Sequence, residues 1–339
     1  MLGQNFSHSS FVFRGFPELQ KHRRLLALPF SASYLLVLLG NSLVVYVIRS
    51  VAGLHSPMYL LVCLLCVVDV LVVTTIVPNM LLGFLFDWDH ISLAGCLTQM
   101  FFTHFLSSVE STLLLAMALD RYVAICKPLR YAEIIDLSML AKLLLFTLLR
   151  SVSIMATLVG LAGSLRFCSS NIIRHCYCDH MALVSLACSS TSRNSAAGLA
   201  VIICFVGVDI PLIFFSYMKI ISVVLRAAAG EERRKAFHTC GTHLMVMMCF
   251  YLVGSVSFLS HNLNIPIPTD ANSFMGLMYI LLPATVNPII YGVRTKEIRN
   301  GFLRIINLRA KTIMSVKVCP TGKPQTRRPP AEINSERTK

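Results

Sequence analysis

Charged residues make up only 14% of this 339-residue chain, and acids number 16 against 30 lysines and arginines. A soluble domain carries about 25% charge. With 55% hydrophobic residues and a mean hydropathy of +0.70, water is not the main solvent of this chain. Internal repetition is absent, which, with an odd number of apolar runs, disfavours a channel or a transporter built from inverted repeats of broken helices. No polar stretch is long enough for a soluble catalytic domain. The polar segment from Met1 to Arg24 lacks the charged-then-apolar order of a cleavable signal, so the first apolar run is expected to act as an uncleaved insertion signal.

What the chain has instead is apolar runs of about 20 residues, the length a helix needs to cross a hydrocarbon core of about 30 Å. Seven occur, roughly Leu25 to Ile48, Met58 to Phe86, Leu97 to Leu119, Leu143 to Leu165, Ser195 to Met218, Ala236 to Ser260 and Ala271 to Val293. They predict an all-α membrane protein, a seven-transmembrane helix bundle over 25–293. Residues 1–24 precede it, a short amphipathic membrane-surface helix is expected at 294–310, and a disordered, proline-containing tail at 311–339. Seven spans put the termini on opposite sides. One side gathers Arg49, four bases after the third span, five after the fifth and twelve in the tail, 22 of the 30; seven lie on the other, and Arg150 lies inside the fourth span. Lysine and arginine are retained on the cytoplasmic side, so the tail is expected inside the plasma membrane and the N-terminus outside. The tail predicts attraction to anionic inner-leaflet lipid; nucleic acid is not implied. "NFS" at Asn5 is then an exported N-glycosylation sequon.

On the outer face the loop "FCSSNIIRHCYCDHMALVSLAC" holds Cys168, Cys176, Cys178 and Cys188, and Cys96 opens the third span. The "HCYCDH" cluster lacks the spaced ligand pairs of common zinc sites. An exported loop is oxidising, so disulfides are the expected chemistry. From Cys96 to Arg121 is 25 residues, about 37 Å of helix at about 1.5 Å per residue, which sets Asp120 and Arg121 at the inner surface. Charges there serve commonly as interfacial anchors. Adjacent helical residues point in different directions, however, so Arg121 can face the bundle while Asp120 restrains it from the side, as a two-state latch requires.

Asp69, Glu110 and Asp209 lie inside apolar spans, where charge is expensive and usually functional. Asp69 and Glu110 are near mid-depth of the second and third helices, where two facing carboxylates would share a proton or hold a cation. They are the sole candidate pair for an enzyme, and no enzymatic activity is expected. Arg150 is read as a packing or snorkelling residue. His104, Ser107, Ser108 and Ser111 recur at i, i+3, i+4 and i+7, on one face of the outer half of the third helix. With Phe101, Phe105, Phe205, Phe250, Tyr251 and Phe258 at comparable depths, they outline a small, mostly apolar pocket with few polar anchors.

The stretches "PMYLLVCLLCVVD" (Pro57 to Asp69), "MALDRYVAICKPLRY" (Met117 to Tyr131), "KAFHTCGTHL" (Lys235 to Leu244) and "PATVNPIIYGVRTKEIR" (Pro283 to Arg299) resemble the olfactory receptors, a branch of the rhodopsin-like G-protein-coupled receptors. The "HCYCDHMALVSLAC" loop and "NPIIYGVRTKEIR" look more like class I members than class II. Leu119 stands where the family usually has an aromatic, and His238 and Thr242 where it has serines; Arg121 and Tyr291 are kept. The resemblance implies a receptor that binds a small odorant within the bundle, activates a heterotrimeric G protein of the stimulatory olfactory type and raises cyclic AMP. A receptor for a metabolite such as a carboxylic acid, used outside the nose, is the alternative. The implied G-protein switch comprises Asp120, Arg121, Tyr122, Tyr217, Asn287, Pro288 and Tyr291. Pro288 cannot donate to the carbonyl of Ala284 and so kinks the seventh helix. The family pattern pairs Cys96 with Cys178; Cys168 with Cys188 would then close the loop on itself and leave Cys176 over. A sodium ion at Asp69 and Glu110 resembles what the class offers, with a neutral hydrogen-bonded pair as the alternative; no other cofactor is expected. Many class I members carry His-Arg at the outer end of the sixth helix, and here His261-Asn262 lacks the arginine. His104 and His261 are mostly neutral at physiological pH by their ordinary pKa, so the expected ligand is uncharged or weakly acidic.

Overall fold

The computed structural model describes residues 7–227, 230–262 and 267–317, with 253–262, 308–317 and a few other positions between 227 and 249 as backbone alone. Asn5 and most of the tail lie outside the described residues. Among those described, the order is β1 (Ser10–Phe13), α1 (Arg23–Ser50), α2 (Pro57–Phe86), β2 (His90–Ser92), α3 (Leu93–Cys126), α4 (Tyr131–Ile134), α5 (Leu137–Gly163), β3 (Ile172–Ile173), α6 (His180–Val184), α7 (Ser192–Ala227), α8 (Gly230–Asn262), α9 (Thr269–Arg294) and α10 (Lys296–Lys317). Six of these, α1, α2, α3, α5, α7 and α9, are long and apolar enough to cross a membrane. The seventh is α8, whose apolar part, His243–Leu252, follows the charged "GEERRK". The architecture is the expected seven-transmembrane bundle. A first compact unit ends at Gly301, and a second begins at Phe302 within α10, which continues to Lys317, beyond the expected end at 310.

Most helices outrun their apolar runs, because backbone hydrogen bonding does not stop where hydrocarbon does. Caps set several of the ends. Ser92 Oγ accepts from the Gly95 N–H at 3.1 Å to start α3, and the Asp136 carboxylate accepts from the Met139 N–H at 2.7 Å to start α5, each satisfying one orphan donor of a first turn. Pro57 opens α2, where a missing N–H is harmless, and Asp87 in the left-handed region (φ 62°) closes it. Outward faces are apolar: Leu28 and Leu39 of α1 are 69% and 70% exposed, as lipid contact demands. In α2 both faces are apolar, with Leu65 and Val72 buried and Val67 and Leu71 exposed.

At the disulfide end, β1 pairs antiparallel with β2 and parallel with β3 in a three-stranded sheet. The N-terminal segment thus joins two loops rather than trailing from them. Phe11 is fully buried and meets Phe167 edge-on at 5.4 Å. With Cys96, Met100, Ile173, Cys178 and Leu183 they form a hydrophobic core above the bundle.

The carbonyl that Pro288 frees within α9 has a partner in α1. Pro288 leaves the Ala284 carbonyl without its helical donor, and Asn41 Nδ2 supplies one at 2.9 Å. A Cβ on Gly40 would lie 3.0 Å from Pro288 Cγ, so glycine there lets α1 approach the proline ring.

Candidate functional site

A cavity of about 420 Å³ lies between α3, α5, α7, α8 and α9 under the loop that carries Cys178. Its size is that of a small-molecule site. His104, Ser107, Ser108 and Ser111 all line it from α3, as do Phe205 of α7 and Phe250 and Tyr251 of α8. Phe101 and Phe105 do not. One turn apart on α3, they stack on each other at 5.8 Å and pack with Met155, Leu158 and Phe205, which line the cavity themselves. The side chains of Phe258, His261 and Asn262 lie outside the described residues.

The roof is built from residues the stripe could not reveal: His175, Tyr177, Asp179, His180 and Met181. Both expected disulfides are formed, Cys96–Cys178 and Cys168–Cys188, and Cys176 is a free, buried thiol whose pKa burial pushes up. The Cys178 N–H donates to Gln99 Oε1 at 2.9 Å, holding the roof to α3. The His175 ring lies 4.3 Å from that of Tyr177, edge to face. A Cβ on Gly276 of α9 would stand 2.7 Å from His175 Nε2, so only glycine accommodates this loop. Burial pushes the His175 imidazole down, against the opposing pull of Asp179. For Asp179 burial acts upward, but His175, His104, the Ala182 N–H and His180 outweigh it and hold the carboxyl below its ordinary range.

The floor holds a buried ion pair. Arg150 of α5 is not snorkelling: its guanidinium lies 3.3 Å from Asp209 Oδ1 of α7, donates to the Cys204 carbonyl at 2.7 Å and sits 4.2 Å above the Phe205 ring. Snorkelling requires a reachable interface, and a carboxylate with a fully buried side chain offers the closer counter-charge. Ser111 Oγ donates to Asp209 Oδ2 at 2.7 Å, so at 2.9 Å the Tyr251 hydroxyl must donate to Ser111. Ser108 Oγ shares a 2.7 Å hydrogen bond with Ser151 of α5. Ser108 and Ser111 therefore join helices as well as line the cavity.

Deeper in the bundle, Asp69 Oδ2 accepts from Asn287 Nδ2 at 2.9 Å. Asp69 Oδ1, Glu110 Oε1 and Asn287 Oδ1 are buried oxygens with no hydrogen-bond partner among the described residues. Oxygen donors of this kind fit a hard cation.

At the far end from the disulfides the latch differs from expectation. Asp120 Oδ1 accepts from the Tyr131 hydroxyl at 2.7 Å, and among the described residues no ion pair joins Asp120 to Arg121. The helix geometry that separates adjacent side chains sends Asp120 toward α4 and leaves Arg121 without that restraint. Burial, then the hydrogen bond to Asp120, pushes the Tyr131 phenol up. Tyr217 and Tyr291 are buried, their hydroxyls without a partner among the described residues, as is Arg121 Nε. His243 of α8 packs on Tyr291 at 5.7 Å; it stands within "KAFHTCGTHL", and only this contact shows what it does. Tyr122 lies 6.0 Å from Lys127 Nζ.

A seven-helix membrane bundle with a ligand-sized cavity near one end and buried tyrosines around an arginine at the other defines a receptor rather than an enzyme. The olfactory receptor family profile matches residues 30–309. The human olfactory receptor 51E2 is 40% identical over 304 residues, 90% of this chain and 95% of that protein. Human olfactory receptors 52D1 and 51E1 are 38% and 40% identical, each over at least 90% of this chain and 96% or more of their own length. The chain belongs to the olfactory receptor family.

Proposed function

We propose that the cavity under the Cys178 loop is the odorant site, that its ligand is small and uncharged with one polar end, and that binding opens the bundle around the buried Arg121, Tyr217 and Tyr291 to a stimulatory G protein, raising cyclic AMP. The lining supports the ligand class. Among the described residues it contains the Asp179 carboxylate and no lysine or arginine, while the nearby guanidinium of Arg150 is engaged by Asp209. A buried carboxylate ligand would meet like charge without a fixed cation, whereas an alcohol or ketone needs only hydrogen bonds from His104 or Ser107. In cells reporting cyclic AMP, an aliphatic alcohol or ketone is expected to act at a concentration about tenfold below that of the chain-matched acid, a difference of about 1.4 kcal/mol. Asn262→Arg should narrow the gap, and Arg121→Ala should be silent at unchanged surface level. An acid preferred by the wild type and unaffected by the added arginine would overturn the ligand class.

Plasma-membrane placement with the N-terminus outside rests on the 22-to-7 distribution of lysine and arginine. An epitope at Met1 should stain on intact cells, and one at Lys339 only after permeabilisation; the reverse pattern would end the receptor reading. Sodium at Asp69, Glu110 and Asn287 is supported by their three unpartnered oxygens. Asp69 and Glu110 would supply the negative charge that holds it between α2 and α3. The purified receptor should then melt higher in sodium than in choline chloride, and Asp69→Asn should abolish the difference. An equal rise in the variant would show that sodium acts at some place other than Asp69 and would overturn this site.

A further inference from the structure

A second cavity, of about 440 Å³, lies on the outward side of the roof and shares three wall residues with the bundle cavity: Asp179, Met181 and Asn272. The two spaces differ in chemistry. The outer one is walled by Ser169, Ser170, Arg174, Ser185 and Thr269, the inner one largely by Phe205, Phe250, Val201 and Leu158. These three residues are a wall common to both spaces, in a roof that is elsewhere pinned. Tyr177 and His175 are wedged against Gly276, and Cys178 is bound to Cys96 and to Gln99. Within the partition, Asp179 Oδ2 accepts from the backbone N–H groups of Met181 and Ala182, both at 3.0 Å, which fixes it to the start of α6. Asn272 is carried near the start of α9. Met181 is the adaptable member: an unbranched thioether with three rotatable side-chain bonds repacks at little cost.

We propose that the outer cavity is an antechamber through which ligand reaches the bundle cavity, with the Met181 side chain as its gate. The antechamber takes the same class of molecule, a small apolar body with one polar end. Its hydroxyls and the Arg174 guanidinium receive the polar end first, while water still solvates it. Rotation of Met181 then lets the apolar end pass Asp179 and Asn272 to Phe205 and Phe250. This rests on the reading of the bundle cavity as the odorant site. The alternative is that ligand arrives laterally, between helices from the lipid.

Accessibility of the inner cavity tests the route without knowledge of the odorant. Ser107→Cys places a thiol on the inner wall, and its modification by methyl methanethiosulfonate, a small neutral reagent, is timed by peptide mass spectrometry on the full-length receptor in nanodiscs. Labelling of an enclosed thiol tracks the open population, so Ser185→Trp, which fills only the antechamber, should slow it about tenfold. Met181→Ala should speed it, and Met181→Trp should slow it. Labelling at an unchanged rate in both tryptophan variants would overturn the antechamber and leave the inner cavity supplied from the lipid. No labelling of the introduced thiol even with Met181→Ala would overturn the inner cavity as a reachable site as well. Native cysteines in the same digest serve as internal rates, and a variant whose native sites label faster than wild type is set aside as unfolded in favour of Ser170→Trp, which fills the same space.

Discussion

Asp209→Ala is expected to remove most of the receptor from the cell surface. The substitution leaves the Arg150 guanidinium, 15% exposed, facing an apolar gap where a carboxylate with a fully buried side chain stood. Breaking a buried pair by deleting one partner costs about 3–5 kcal/mol, against a total stability of about 5–15 kcal/mol for a folded protein. Ser111 loses its acceptor and Tyr251 its indirect anchor in the same step. Flow cytometry of an N-terminally tagged receptor would measure the loss. The sharper comparison is the double variant Arg150→Met with Asp209→Leu, because replacing both charges by apolar groups of similar size is often neutral or stabilising. Its surface level should recover while its cyclic AMP response does not, since the hydrogen bonds that tie α3 to α7 through Ser111 remain broken. Full surface level of the single Asp209→Ala variant would show that the pair contributes little to the fold.

Cys96→Ser and Cys178→Ser should be as damaging for a different reason. Their bridge spans 82 residues of sequence, and releasing a loop of that length restores about 4–5 kcal/mol of chain entropy to the unfolded state in the loop-closure account. It also frees the roof, because Tyr177 and Asp179 flank Cys178 and line the cavity. Cys168→Ser, from the bridge of separation 20, should lose about 3 kcal/mol and retain part of its surface level. Cys176→Ser is expected to be tolerated: the thiol is unpaired, burial keeps it protonated, and serine is nearly its shape. Surface staining of the four variants orders them. Equal loss in all would show that packing, not the bridges, holds the roof.

The seven spans and the cavity-facing stripe were legible in the sequence because each is a local signal. Apolar length reports a crossing, and spacing of three and four reports one helix face. His104, Ser107, Ser108 and Ser111 share the cavity for that reason. The family motifs added the Cys96–Cys178 pair. Phe101 and Phe105 show the limit of depth alone: both stand at the right level of the bundle, yet Met155, Leu158 and Phe205, on which they pack, form the wall.

Composition and periodicity by themselves determined a membrane bundle of seven helices and which face of α3 lines the cavity, and the motifs determined the receptor family. Tertiary structure alone decided the partners: Arg150 with Asp209, 59 residues away; Ser111 with Tyr251, 140 away; Asp69 with Asn287, 218 away; and Asp120 with Tyr131 rather than Arg121. It also decided that Phe11 of a polar N-terminal segment would be fully buried in a sheet beneath the loops. The physical reason is that a buried polar group takes whichever partner the packing brings within about 3 Å. Which one that is depends on the rotation and tilt of every helix at once, quantities that no local stretch of sequence encodes.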